Sequence, residues 1–403
     1  MSTIFQNAAV FDGTEMLPAG TEVHISGDRI VGVGVGLERS ADTELVDLTG
    51  HSLIPGMIDC HVHVMLDGLN PLTQLSDPFS LPYYVAADVL RRTLRIGITT
   101  VRDAGGADLG VKRALEQGLL EGPEILVAIT MLSQTGGHAD GTTPCGVPNH
   151  LLPAHPGRPH PVVDGPVEMR KRVRELQRAG ADVIKICTSG GVSSPNDDPR
   201  HPQFGLDELE SCVGEATAGD TPVMAHAQGK QGILNAVNAG VRSVEHGVFA
   251  DEECFDALKA RGVWLVPTLT APVALKRMIQ SGVPISEEVA RKSEEALIAH
   301  AAMMRSAVAA GVKIAMGTDS GVFAHGDNLE ELVLMREAGM TPEQVLHAAT
   351  RSAAELLELA DRGRIAPGLR ADLVVVAGDA LNFEDFARRI TAVYQRGRNV
   401  GDG

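Results

Sequence analysis

His61 and His63, one residue apart in MIDCHVHVML, are spaced to hold a metal ion between them. On an extended strand residues i and i+2 share a face, and neutral imidazole is a common ligand of zinc and similar divalent ions. The pair alone specifies little, because ordinary polar or packed histidines give the same string. Other ligand types recur further on. His226 closes the run TPVMAH, His246 closes VRSVEH and Asp319 closes VKIAMGTD, each after a short, mainly apolar stretch. Singly, each reads as a satisfied core or loop residue; gathered on one face with the histidine pair, they read as a metal centre. Lys185 lies inside the apolar run ADVIKICTS. A buried ammonium without a partner is costly, so it must lose its proton or find a counter-charge. A neutral amine can add carbon dioxide and become a carbamate, whose two oxygens can bridge two metal ions. A lysine that snorkels to water or pairs with a carboxylate fits the same string. The residues alone leave both readings open.

The elements that position these groups follow from the texture of the chain. ITTVRDAGG, EILVAIT, ADVIKICTSGG, TPVMAHAQG, VRSVEHGVF, VWLVPTL and VKIAMGTDSG read as strands. Ala-, Leu-, Glu- and Lys-rich helical segments alternate with them, one near 108–120. Nearly continuous apolar strands separated by helices indicate a parallel sheet covered by helices. About eight such units in roughly 300 residues suit an α/β fold closed as a (β/α)8 TIM barrel better than an open doubly wound sheet. A helix is predicted over 342–358, with Thr341 as N-cap, Pro342 at the first position and Gln344 completing a capping box. Residues 144–166, rich in Pro and Gly, read as a long loop over the substrate pocket. Both ends of the chain are β-rich and punctuated by turns, from TIFQNAAVFDGT through TELVDLTGHSLIPG, and again from GRIAPGLRADLVVVAGD to AVYQRGRNV.

The bulk properties remove several function classes. The formal charge of −17 over 403 residues argues against nucleic acid and against an anionic membrane surface. A local metal or arginine cluster can still bind an anionic small molecule. Aromatic residues are only 3%, so the core must be aliphatic. Five scattered cysteines without a CxxC pair fit reduced thiols. The start MSTIFQNAAVFDG lacks a signal-peptide pattern, and no apolar run reaches the roughly 18–20 residues that span a bilayer. A soluble, cytoplasmic protein is expected.

Together these residues resemble the amidohydrolase superfamily, over almost the whole chain. PGMIDCHVHV is similar to the first-strand signature of that family, and GRIAPGLRADLVVV to its returning sandwich segment. Lys185, His226, His246 and Asp319 stand in the family's order. KICTSGGVSSPNDDPRHPQF, HAQGKQGI and VEHG are further similar to a metal-dependent dipeptidase branch, prolidase-like or Xaa-Arg/Lys-cleaving. The resemblance implies a composite β-sandwich domain from residues 1–56 and 365–403, and a hydrolase barrel over 57–364. It implies two divalent ions, zinc by default for a His-rich site, with manganese or cobalt also able to occupy it. His61, His63 and Asp319 would hold one ion, His226 and His246 the other, and carboxylated Lys185 would bridge them. Water activated by the ions would attack an amide carbonyl. Asp319 would move the proton to the leaving amine, and His138, in SQTGGHAD, would stabilise the oxyanion.

The expected substrate is a small-molecule amide such as a dipeptide or N-acyl amino acid. A cyclic amide, aryl amide, urea or carbamate is the alternative. A non-catalytic scaffold should lack several ligands, whereas this chain has a full set. Gln228 stands where dipeptidase relatives often carry a second histidine, which weakens transfer of their substrate preference. No carboxylate clamp is evident: Arg200, His201, Lys230, Tyr83 and Tyr84 are assigned to pocket loops, more simply as solvated residues. His150, His155 and His160 lie in the Pro-rich loop without a fixed spacing, Cys187 is expected to pack, and His300 and His347 to be structural helix residues. Assembly into a homo-oligomer stays open.

Overall fold

The computed structural model describes residues 2–68, 77–143, 145–147, 153–194, 197–283 and 285–401. The first six strands are β1 (Ser2–Gln6), β2 (Ala9–Val10), β3 (Glu22–Ser26), β4 (Arg29–Gly34), β5 (Thr43–Asp47) and β6 (His51–Pro55). Then come β7 (Met57–Val62), β8 (Ile98–Asp103), β9 (Glu124–Val127), β10 (Met131–Leu132), β11 (Ile184–Cys187), β12 (Val223–Ala227), β13 (Ser243–His246) and β14 (Trp264–Val266). The chain closes with β15 (Leu373–Ala377), β16 (Ile390–Gln395) and β17 (Arg398–Asn399).

The middle of the chain is α/β, with parallel strands alternating with helices. β7, β8 and β9 form one parallel sheet, and β10 to β14 form another in sequence order. Every residue of β7, β8, β11, β12, β13 and β14 is buried. Strands covered on both faces must be apolar throughout, which is why these runs lack alternation. Val101, Ile186, Ala225 and Val244 pack in one core with Val89, Val173, Leu209, Ile233 and Leu258 of the helices. The stretch 313–320, expected as a strand, forms only isolated bridges, Leu265 with Ile314 and Val62 with Ser320. Its backbone still links β14 to β7: Leu265 N donates to Lys313 O, and Cys60 N to Met316 O. Gly317 inside it explains the close approach, since a Cβ there would lie 2.3 Å from Val266 Cγ1 and 2.9 Å from His61 Cβ.

The helix expected over 342–358 is two helices, Pro342–Ala349 and Arg351–Leu356. The Thr341–Gln344 capping box forms as expected. Thr350 breaks the run at φ −129°, ψ −88°, with its hydroxyl donating to Leu346 O at 2.6 Å. The helix placed near 108–120 is Leu109–Glu116, capped by the Asp108 side chain. The described part of the Pro-rich loop is irregular up to the helix Pro166–Ala179, with a single bridge from Val162 to Ser133.

The two ends meet in sheets of their own. β4-β3-β1-β5 form one, and β17-β16-β15-β6-β2 the other, so the last strands pair with those just before β7. Phe5, Val23, Ile25 and Ile30 from the first pack with Leu53, Leu373 and Val375 from the second. Among the described residues no helix is long and apolar enough to cross a membrane. All five cysteines are free, and only Cys145 is exposed.

Gly56 joins β6 to β7, where a Cβ would lie 2.3 Å from Thr99 Oγ1 and 3.0 Å from Asp372 Cβ. Gly56→Ala is expected to cost about 1–3 kcal/mol by overpacking this junction. A lowered denaturant midpoint checks it.

Candidate metal centre

His61, His63, His138, Lys185, His226, His246 and Asp319 all line one cleft. Strand ends bring them there. His61 is the last residue but one of β7, Lys185 lies in β11, His226 in β12 and His246 ends β13. Parallel register sets Cys187 beside His226 and Ala227 beside His246. Nitrogens of His61 and His63 and a carboxylate oxygen of Asp319 lie within 4.8 Å of one another. Asp319 Oδ1 is 3.4 Å from His61 Nε2 and 3.2 Å from His63 Nε2. Lys185 Nζ lies 3.4 Å from His61 Nε2, and the His61 and His246 ring centres are 5.0 Å apart. His226 is 4.7 Å from His246 between centres and stacks on His138 at 4.2 Å.

The partners of these rings decide which nitrogen is left for a cation. His61 Nδ1 meets Glu245 Oε2 at 2.7 Å and His63 Nδ1 meets Gly105 O at 2.8 Å. Both acceptors require N–H at Nδ1, so Nε2 carries the lone pair that faces Asp319. His246 Nδ1 is held by Thr268 Oγ1 at 2.7 Å. His226 differs, giving Nε2 to Gly190 O at 3.0 Å and leaving Nδ1. Imidazole and carboxylate with fixed outer partners are a donor set that fits a divalent ion.

Burial pushes His61, His226 and His246 well below the ordinary histidine value and pulls the Lys185 amine down as well. His63 goes the other way: burial opposes charge, but the hydrogen bond and charge of Asp319 outweigh it. Asp319 is lowered, because the His63 bond and the nearby cationic groups overcome its burial. His246 and Asp319 also adopt left-handed backbone, at φ 71° and 63°, as does Thr268 at 53°. Non-glycine residues seldom accept this, and such positions gather at functional sites.

A model of the amidohydrolase family matches residues 52–400. The chain belongs to that family. It is 31% identical over 363 residues to the ochratoxinase of Aspergillus niger, covering 86% of this chain and 75% of that protein. Among solved structures it is similar to a Xaa-Pro dipeptidase with methionine bound in the active site, at 31% identity and a TM-score of 0.89, covering 99% of both chains. It is equally similar in shape to a prolidase complexed with N-methylphosphonate-L-proline, at 33% identity, TM-score 0.89 and 99% of both chains. Membership makes this protein an enzyme of a hydrolase family that acts on C–N bonds, and metal binding is expected for the family.

Most of the other residues named from the sequence of this amidohydrolase lie elsewhere. Tyr83 and Tyr84, assigned to a loop, are in the helix Leu81–Arg95, where Tyr83 donates to Asp108 at 2.9 Å and Tyr84 is exposed. Lys230 starts the helix Lys230–Ala239 and pairs with Asp251 and Glu253. Arg200 pairs with Glu295 and stacks over Phe249, and His201 is exposed. His155 sits near Asp108, His160 lies outside the cleft, and His150 is outside the described residues. Cys187 packs in β11, and His347 meets Ser352 Oγ. His300 is buried in the helix Glu287–Ala310, yet its ring lines the cleft and its Nε2 donates to the His246 carbonyl.

Sequence reasoning missed the residues behind the candidate ligands. Arg102 donates to Cys60 O and to Glu245, joining β7, β8 and β13. Asp59 accepts from His61 N, Thr318 and Asn328 Nδ2, and burial raises it to about 6. Lys292 donates to the carbonyls of Gly191, Ser194 and Asp197. The signal for Arg102 and Glu245 was present: each is a charge inside an apolar strand, like Lys185.

Burial holds both His300 and His325 at about 4 against an ordinary 6.5. A histidine kept neutral in the fold binds fewer protons than in the unfolded chain, so stability rises with pH. The metal-free protein should therefore hold full stability from these groups above pH 6.5 and lose it as pH falls toward 4. His325→Gln is expected to flatten this profile by up to about 3 kcal/mol. Denaturant midpoints across pH 4–7.5 test it.

Proposed function

We propose that this protein is a binuclear metal-dependent amidohydrolase that cleaves a small-molecule amide of the dipeptide or N-acyl amino acid type. The observation that carries this is the meeting of His61, His63, Lys185, His226, His246 and Asp319 in one cleft. The names of the ochratoxinase, dipeptidase and prolidase relatives support an amide bond as the target. Two parallel sheets, linked on one side by Asp182 N donating to Val127 O and on the other through 313–320 to β14 and β7, support a (β/α)8 barrel over 57–364. The sheets built from 1–56 and 365–403 are its β-sandwich companion.

His61 and His63, with Asp319, would hold one divalent ion, and His226 and His246 the second; zinc is the first choice for such donors. Bound there, the ions supply Lewis acidity and lower the pKa of water. Lys185 is suited to carboxylation, because burial favours the neutral amine that adds carbon dioxide, releasing one proton as the carbamate forms. Its two oxygens would then bridge the ion positions. Asp319 would take the proton of the attacking water and return it to the leaving amine. His138 would donate from Nε2–H to the oxygen that gains charge, in the tautomer whose Nδ1 accepts from Ser194 Oγ, 2.9 Å away.

The test is amine release over a mixed set of dipeptides, N-acyl amino acids and aryl amides, read by mass spectrometry. Dipeptides or N-acyl amino acids are expected to be cleaved, with activity falling at least about a hundredfold in Lys185→Ala and Asp319→Asn. Metal analysis should find two ions per chain in the wild type and fewer in Lys185→Ala. One tightly held ion, unchanged by that substitution, defeats the bridging role. Turnover confined to aryl amides moves the substrate to the alternative class.

A further inference from the structure

Gln228 follows His226 by two residues, and its backbone is fixed at both ends. Its N–H donates to Ser189 Oγ at 2.8 Å, and its carbonyl accepts from Phe249 N at 2.8 Å. The side chain lines the same cleft as the metal ligands, with the residue only 8% exposed. Its carboxamide oxygen is buried and has no hydrogen-bond partner among the described residues. Buried acceptors are nearly always paired, so this one calls for a donor from outside the chain. The wall beside it has the opposite character. Val192, Val248, Leu275 and Ala296 form one packed apolar cluster, and all four face the cleft.

Fixed charge is missing where a charged side chain would need it. Among the described lining residues Lys185 and Asp319 carry the formal charges, and both belong to the metal cluster. The nearby cations are occupied: Lys292 by three carbonyls, and Arg200 by Glu295. A carboxylate entering this wall would give up water without gaining a partner, and an ammonium or guanidinium would meet no counter-charge there.

We propose that Gln228 and the apolar wall choose the substrate: an amide carrying an uncharged, apolar side chain, with an N–H or O–H beside it that donates to the Gln228 carboxamide oxygen. This rests on the amide-hydrolase reading of the same cleft, and it turns the preference away from Xaa-Arg/Lys substrates. Gln228 acts here as a specificity residue, touching substrate next to the metal ligands.

The experiment measures calorimetric binding of L-leucine, L-methionine, L-lysine and L-glutamate to metal-loaded wild type, Gln228→Ala and Gln228→Glu. Hydrolysis of the four matching N-acetyl amino acids is followed in parallel. The wild type is expected to bind leucine and methionine at least about tenfold more tightly than lysine and glutamate. Gln228→Ala should weaken leucine about tenfold, and Gln228→Glu should bring lysine level with leucine or above it. If Gln228→Glu does not fold, Gln228→Ala alone decides. Equal wild-type binding of leucine and lysine, no binding of any of the four, or leucine binding unchanged in Gln228→Ala overturns the proposal. Discrimination that follows Gln228 without any hydrolysis supports it as a binding determinant, and counts instead against the hydrolase reading.

Discussion

Glu245 is wholly buried, and the cleft is built around what it accepts. Its carboxylate takes the Nδ1 proton of His61 on β7, the guanidinium of Arg102 on β8 and the hydroxyl of Ser243 on its own strand β13. Arg102 in turn reaches the Cys60 carbonyl at 2.6 Å. Three strands far apart in sequence are therefore tied by one ion pair beneath the ligands. Removing one partner of such a pair strands a buried charge, typically at about 3–5 kcal/mol. The pair also fixes a tautomer: with Glu245 accepting at Nδ1, the Nε2 of His61 can only present its lone pair toward Asp319.

A second constraint is how a polar group reaches the cleft from a strand whose sides are all packed. His246, at the end of β13, and Asp319, in the 313–320 stretch, do so by turning into left-handed backbone, at a cost of about 1–3 kcal/mol each. Asp59 offsets part of this on the 313–320 side. It gathers the N–H and hydroxyl of Thr318 and the amide of Asn328 against β7. Asp319 N also donates to the His61 carbonyl at 2.8 Å. The carboxylate is thus held over the histidine pair by backbone on one side and a buried network on the other.

This division explains what was legible in the residues. His226, His246 and Asp319 stand at the ends of apolar runs, so their meeting in one cleft was legible from the change of texture once they were taken together. Lys185 was legible because a charge inside such a run needs a reason. Arg102 and Glu245 offered the same signal, but their reason is each other, across two strands and 143 residues, and a single chain read in order does not pair them. Thr350 was missed because a hydroxyl that bonds back to Leu346 leaves the helical apolar pattern intact while the backbone turns away. The 313–320 stretch looked like a strand because its side chains are apolar, yet it keeps only isolated bridges. Tyr83 and Tyr84 were misplaced because Ser80 and Pro82, turn-forming types, open their helix.

Charge balance gives the strongest argument for Lys185 as a ligand and not a spectator. Its amine lies 3.4 Å from the lone-pair nitrogen of His61, and burial drives it toward the neutral form. An ammonium there would repel any cation held by His61, His63 and Asp319, so the lysine and a metal could coexist only if the lysine were neutral or anionic. In the proposed binuclear site, four metal-bound imidazoles and one carboxylate would leave two dications poorly compensated. The proposed carboxylation would remove the repulsion and add an anion between the two ion positions. The placement of a lysine among histidines, costly for an ammonium, is what the proposed anionic bridge would require.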